Sequence, residues 1–199
     1  MSDELPSDSE SAGAEVAVTA QDRLPGDPTR AQIIDRIIRV DHAGEYGAKR
    51  IYEGQLAMLQ GKPEAAVVRK MYEQELAHLK EFERLMVERR ARPSALHPLW
   101  HVAGYALGAA TAFLGPKAAM ACTVAVEDVI EEHYARQAEA LKDSGEAKLV
   151  GEIEHARAGE LEHRDTALAA GAKDAAGYEA LTAVVKAGSK LAIWLSERI

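Results

Sequence analysis

The chain has 199 residues, 47% of them hydrophobic and 28% charged, enough apolar material for one domain with a buried core. Its net charge of −8 and the absence of a sustained basic patch argue against nucleic-acid binding, and a single cysteine, Cys122, excludes an internal disulfide framework or a cysteine-rich metal site. Aromatic residues reach only 5% and alanine is abundant, which favours helix over a β-sandwich.

Residues 1–28 hold seven acids and one base, Arg23, and so carry −6 of the net charge. They lack the basic and apolar regions of a secretory signal and have few large apolar residues, so this segment reads as an acidic, disordered tail. The remaining residues, 29–199, form the expected domain. From Thr29, Ile33, Ile34, Ile37 and Ile38 recur at helical spacing, and the pattern runs to Leu59 before Gly61 and Pro63 break it. A second helix is expected from about 63 to 90, ended by Pro93 and Pro98. Residues 99–126 are apolar almost throughout. A helix over about 117–141, a turn at Asp143–Gly145, a helix over about 146–170 and a last helix over about 175–197 complete an all-α chain with no alternation of period two.

Three Glu-x-x-His motifs stand in these helices: Glu75/His78, Glu152/His155 and Glu160/His163. Residues three apart share a helix face, so each pair can grip one metal ion. The count is a modest excess over chance, and charged, solvated helix faces are the plain alternative. Turn geometry separates the motifs. Antiparallel helices place residues opposite each other when they are equidistant from the turn. Glu45 and Glu75 have their midpoint at 60, beside the first break, and Glu127 and Glu160 have theirs at 143.5, on the second turn. Two helical hairpins, each with a lone Glu facing a Glu-x-x-His, therefore make an internal repeat. Glu152 fails this test and lies about 80° around its helix from Glu160. The geometry does not separate Glu127 from Glu131, nor exclude Asp41 beside Glu45. Four Glu and two His are the donor set of a carboxylate-bridged di-iron or di-manganese centre in a four-helix bundle. Carboxylates are hard, anionic bridging ligands, and two imidazoles keep the charge near balance.

The strings VDHAGEYGA (40–48), YEQELAHLKEFERLM (72–86), RPSALHPLW (92–100), AMACTVAVED (119–128), GELEHRD (159–165) and KLAIWLSERI (190–199) resemble the demethoxyubiquinone hydroxylases of ubiquinone biosynthesis. The resemblance implies a ferritin-like four-helix bundle with an added apolar crossover helix and a C-terminal helix. It implies two iron ions held by Glu45, Glu75, His78, Glu127, Glu160 and His163, with Glu75 and Glu160 bridging, and it favours Glu127 over Glu131. It also implies O2 as oxidant, an external electron donor with NADH as the candidate, and hydroxylation of a demethoxyubiquinol with an isoprenoid tail. A ferritin-like iron store or peroxidase is the alternative with the same ligands, and a metal-free helical interaction protein a third reading.

The apolar stretch at 99–126 is long enough to cross a bilayer, but a crossing would place Glu75 and Glu127 on opposite sides of it. It is expected instead to run along the outside of the bundle, with residues about 96–126 meeting the membrane surface. That makes the protein a peripheral one on the cytoplasmic face of the inner membrane, with a homo-oligomer or a helper protein of the ubiquinone pathway as further partners and no nucleic acid. Asp41 is a candidate for orienting a ligand imidazole. Tyr46, His133 and Tyr134 are candidates for the pocket or a hydrogen-bond relay. Cys122 reads as a small buried apolar residue. No Gly-rich nucleotide loop is present.

Overall fold

The computed structural model describes Leu24 and residues 26–199. The expected acidic tail lies almost wholly outside the described residues. Six helices follow: α1 (Arg30–Met58), α2 (Glu64–Arg89), α3 (His97–Phe113), α4 (Pro116–Leu141), α5 (Ala147–Ala169) and α6 (Tyr178–Ser196), with a short 3₁₀ turn at Ala172–Asp174 before α6. No strand occurs among the described residues.

Local chemistry sets the helix ends. Thr29 caps α1 through a reciprocal box in which its hydroxyl accepts from the Gln32 N–H and the Gln32 side chain accepts from the Thr29 N–H. Helix α2 ends with Arg90 in the left-handed region, φ 56°, and Ala91 N–H returns to the Met86 carbonyl. Gly61 and Gly145, with φ of 76° and 75°, make the two turns that reverse the chain.

Helices α1 and α2 pack as one hairpin, and α4 and α5 as the other. Ile38, Phe82, Leu85, Tyr134, Leu149 and Ile153 fill the core at one end of the bundle. Tyr52, Leu59, Val68, Met71, Met120 and Ala167 fill it at the other. Ionic staples close the first end, where Glu146 before α5 meets Arg30 of α1 at 3.0 Å and Arg89 of α2 at 2.7 Å. Helix α6 packs mainly against α4.

The apolar stretch divides in a way its composition conceals. Only α3 is a crossover on the outside of the bundle. Residues 118–126, expected on the same outer surface, are buried in the first turns of α4. Gly115 and Pro116 restart the chain direction there, so one run of apolar residues serves a surface helix and then a core helix.

Helix α3 lies unusually close against α1. A Cβ at Gly108 would stand 1.9 Å from the Ile51 carbonyl oxygen, and one at Gly54 would stand 2.2 Å from the Tyr105 carbonyl oxygen. Both obstacles are backbone, which cannot swing aside. Gly108→Ala is therefore expected to destabilise the fold by about 1–3 kcal/mol through overpacking. Thermal melting checks this; an unchanged melting temperature would show that α3 can ride outwards freely.

Candidate metal centre

The two hairpins face each other across a polar cluster in an otherwise apolar interior. Glu45 of α1, Glu75 and His78 of α2, Glu127 of α4, and Glu160 and His163 of α5 all point into it, with exposures from 0% to 8%. Their donor atoms fall into two groups, each within 4.8 Å: Glu45, Glu75, His78 and Glu160, then Glu75, Glu127, Glu160 and His163. Glu75 and Glu160 belong to both groups. His163 Nδ1 lies 3.1 Å from Glu75 Oε1 and 3.5 Å from Glu160 Oε2. His78 Nδ1 lies 3.5 Å from Glu160 Oε1 and 3.7 Å from Glu45 Oε2.

Proximity here is not hydrogen bonding. Glu45 Oε2, both oxygens of Glu75, Glu127 Oε2, Glu160 Oε2, His78 Nδ1 and both ring nitrogens of His163 are buried without a hydrogen-bond partner. Buried polar atoms are seldom left so, because each costs about 1–3 kcal/mol. Lone pairs converging at these distances with no donor between them suit a cation. Two divalent ions would match the four carboxylates in charge, so the donor set fits a metal pair.

The carboxylates perturb one another. Burial, then repulsion from Glu160, pushes Glu45 up to about 7. The same two causes push Glu75 and Glu127 well above the usual carboxylate range. Burial acts on Glu160 as well, but the His163 and His78 imidazoles that face it at 3.5 Å outweigh it and hold Glu160 down to about 2. Two tyrosines brace the outer carboxylates. Tyr52 donates to Glu127 Oε1 at 2.7 Å, and Tyr134 donates to Glu45 Oε1. Tyr52 escaped the sequence reading. Its signal was available, since each tyrosine stands seven residues after a lone Glu and donates to the lone Glu of the other hairpin.

Glu152 sits outside the cluster, paired with Arg84 at 3.2 Å, and His155 is exposed. Glu131 pairs with Arg157. Asp41 does not orient a ligand imidazole; it accepts from Gln137 at 2.8 Å and faces His133 at 3.4 Å. Tyr46 turns away towards α3, its ring tilted 37° against that of His97 at 3.8 Å, and shares a 2.6 Å hydrogen bond with His101. Cys122 is fully buried, and burial pushes its thiol up to about 12, out of nucleophilic range.

Behind α1, on the side away from the cluster, lies an apolar cavity of about 310 Å³ between α1, α3, α4 and α6. Gly47, Trp100, Gly104, Leu107 and Gly188 line it. Gly44 and Val126, the chain neighbours of Glu45 and Glu127, form part of its wall.

A helical bundle with two four-donor groups sharing two carboxylates has the arrangement that could hold a metal pair between helices. The model of the family of ubiquinone biosynthesis protein COQ7 matches residues 32–196, and the chain belongs to that family. It is 56% identical over 183 residues to the 3-demethoxyubiquinol 3-hydroxylase of Rhodospirillum rubrum, covering 91% of this chain and 85% of that one. It is 52% identical over 168 residues to the NADPH-dependent 3-demethoxyubiquinone 3-hydroxylase of mouse mitochondria, covering 83% and 77%. It is 41% identical over 189 residues to the mitochondrial 5-demethoxyubiquinone hydroxylase of Saccharomyces cerevisiae, covering 85% and 80%.

The raised carboxyls give the metal-free protein a definite pH dependence. Between the ordinary value of 4.5 and about 7, folded Glu45 holds a proton that unfolded Glu45 has lost. The stability this confers is complete below 4.5 and disappears as pH rises through about 7, and Glu75 and Glu127 act in the same sense. Glu160 acts oppositely, but only as pH falls from 4.5 towards 2. The melting temperature of the metal-free protein should therefore fall between about pH 5 and about pH 8, and a divalent ion should remove that slope while releasing protons. A melting temperature that rises over this range would contradict the cluster's electrostatics.

Proposed function

We propose that this chain is a di-iron monooxygenase that hydroxylates the ring of a demethoxyubiquinol with O2. The observation that carries the reading is the pair of four-donor groups sharing Glu75 and Glu160, in a chain whose relatives are named as demethoxyubiquinone or demethoxyubiquinol hydroxylases. Glu45 and His78 would hold one iron, Glu127 and His163 the other, and Glu75 and Glu160 would bridge. Iron bound there supplies the redox chemistry that O2 needs, since O2 reacts sluggishly with closed-shell organic molecules. The mitochondrial relatives are named NADPH-dependent, apart from the yeast one, which supports a nicotinamide dinucleotide as electron source; NADH and NADPH are both candidates for this chain.

The chain's own side chains do three things in this reading. Tyr52 and Tyr134 fix the orientation of Glu127 and Glu45 by donating to one oxygen of each, leaving the other oxygen for metal. The apolar walls around the cluster exclude water, which strengthens the electrostatic interactions inside and limits loss of oxidising equivalents. The apolar cavity behind α1 would take the greasy part of the quinol, and its wall at Gly44 and Val126 brings it up to the helix segments that carry Glu45 and Glu127. A storage protein has no use for such a cavity.

A quinol with an isoprenoid tail resides in lipid, and the surface around the cavity suits a bilayer. Leu99, Val102, Phe113 and Leu114 of the α3 region are 50–82% exposed, and Leu191 and Trp194 of α6 are 56% and 50% exposed. No helix among the described residues is long and apolar enough to cross a membrane. The reading is of peripheral attachment at the cytoplasmic face of the inner membrane through α3 and α6, and not through residues 118–126, which are buried.

Two experiments test this. The protein loaded anaerobically with Fe(II) should bind two irons per chain, one for each donor group. Given reductant, a demethoxyquinol and ¹⁸O₂, it should place one ¹⁸O in the new hydroxyl. Glu75→Ala and Glu160→Ala should lose iron and hydroxylation while staying helical by circular dichroism, whereas Glu152→Ala should keep both. Label drawn from water, or full activity in both bridging variants, would refute the proposal. Separately, Val102→Asp with Phe113→Asp, at positions 65% and 82% exposed, should release the protein from vesicles without changing iron content. Undiminished vesicle binding would refute attachment through α3.

A further inference from the structure

The two hairpins repeat more than the metal donors. Counting from the lone Glu of each, the tyrosines Tyr52 and Tyr134 stand seven residues on and the glutamines Gln55 and Gln137 stand ten residues on. Each glutamine reaches back across to the residue four before the other lone Glu. Gln55 Nε2 donates to Thr123 Oγ1 at 3.3 Å, and Gln137 Nε2 donates to Asp41 Oδ1 at 2.8 Å. The repeat then breaks at two places. Where one half has Thr123, the other has Asp41; where one half has Ile51, six residues after its Glu, the other has His133.

The two departures meet. His133 Nε2 lies 3.4 Å from Asp41 Oδ1, and Gln137 touches both. Thr123 and Ile51 show that the same scaffold closes with neutral side chains. An acid and an imidazole in their place are costly to bury, and more so because Asp41 Oδ2 has no hydrogen-bond partner. Burial pushes Asp41 above its ordinary range, against the opposing pull of His133 and Gln137. The pair is also ordered from outside to inside. The His133 side chain keeps 9% exposure and that of Asp41 has 0%, while Glu45 lies one helical turn beyond Asp41 on the same face of α1.

We propose that His133 and Asp41 form a one-sided proton relay that carries protons from the surface of α4 to the Glu45 end of the centre. The inference rests on the monooxygenase reading above. That reaction consumes protons: ring C–H, O2, two electrons and two protons give ring C–OH and water. The C–H and O–O bonds break; a C–O bond, the O–H bond of the new hydroxyl and the two O–H bonds of water form; the two electrons come from a reduced nicotinamide dinucleotide, whose oxidation releases one proton outside the centre. The side chains packed above and below the cluster are apolar and offer a proton no carrier, so the protons need a route. His133, buried but for the 9% exposure of its side chain, takes up a proton and hands it across 3.4 Å to Asp41, whose unpartnered Oδ2 is free to pass it inwards. The neutral Thr123 and Ile51 give the other half no such route, so protons arrive at one end only.

The test grafts one half onto the other. Asp41→Thr with His133→Ile installs the neutral pair, Asp41→Asn removes the acid alone, and Asp41→Glu restores an acid. Each is compared with the wild-type chain for metal-free melting temperature, irons per chain, hydroxylation rate and solvent deuterium isotope effect. The relay predicts that the grafted variant melts no lower than wild type and binds the same iron. It predicts that the graft and Asp41→Asn lose hydroxylation by on the order of 100-fold with an enlarged isotope effect, and that Asp41→Glu recovers part of the rate. A lowered melting temperature or lost iron in the graft makes the pair structural and overturns the relay. So does a hydroxylation rate within a few-fold of wild type. A wild-type chain that gives no hydroxylated product overturns the monooxygenase reading and the relay together, whereas a working wild type with indifferent variants overturns the relay alone.

Discussion

Four carboxylates buried within a few ångströms of one another are the constraint that the rest of this structure answers to. Their only ion-pair partners among the described residues are His78 and His163. Each ionised carboxylate taken out of water costs several kcal/mol, against a total stability of about 5–15 kcal/mol for a domain. The chain cannot keep four such charges bare. Protons on Glu45, Glu75 and Glu127 relieve the repulsion, bound cations would do the same, and either would couple the fold to the contents of the cluster. The extensive hydrophobic packing at both ends of the bundle is what holds the polar middle together in the meantime.

Symmetry is how the sequence meets that constraint cheaply. One hairpin with a lone Glu and a Glu-x-x-His presents half a centre, and two such hairpins facing each other close it. The bracing follows the same rule. Each tyrosine sits two helical turns from its own hairpin's lone Glu and hydrogen-bonds the other's, so neither carboxylate is oriented until both hairpins are docked. Assembly of the bundle and assembly of the centre are one event.

Much of this was legible before the structure. The isoleucines from Ile33 to Ile38 and the breaks at Gly61, Pro63 and Gly145 locate the hairpins, because period and punctuation are local signals. Equidistance from a turn places Glu45 against Glu75 and Glu127 against Glu160, because helical rise is constant. Glu131 and Asp41 stayed open on that argument, since a one-turn shift along a face leaves equidistance nearly intact. The extent of the crossover was misjudged for a different reason. Apolar composition records burial or lipid contact without saying which, so Ala118–Val126 of the core and Leu99–Phe113 of the surface read alike. Asp41 and Tyr52 depend on what lies across the hairpin interface, which no window along one helix reveals.

Helix α1 joins the centre to the surface, and its composition reflects two employments. One face carries Asp41, Glu45 and Tyr52 into the polar interior. The opposite side carries Gly44 and Gly47 along the apolar cavity, and Gly54 further on meets the backbone of α3. Larger side chains along that side would push α3 outwards or fill the cavity. The glycines hold α3 close at Gly54 and Gly108 while leaving room at Gly44 and Gly47. They weaken α1 as a helix, by about 1 kcal/mol each relative to alanine. That loss is tolerable only because packing buries α1 on both sides, which is why the helix that presents Glu45 to the buried donor cluster can also wall the apolar cavity.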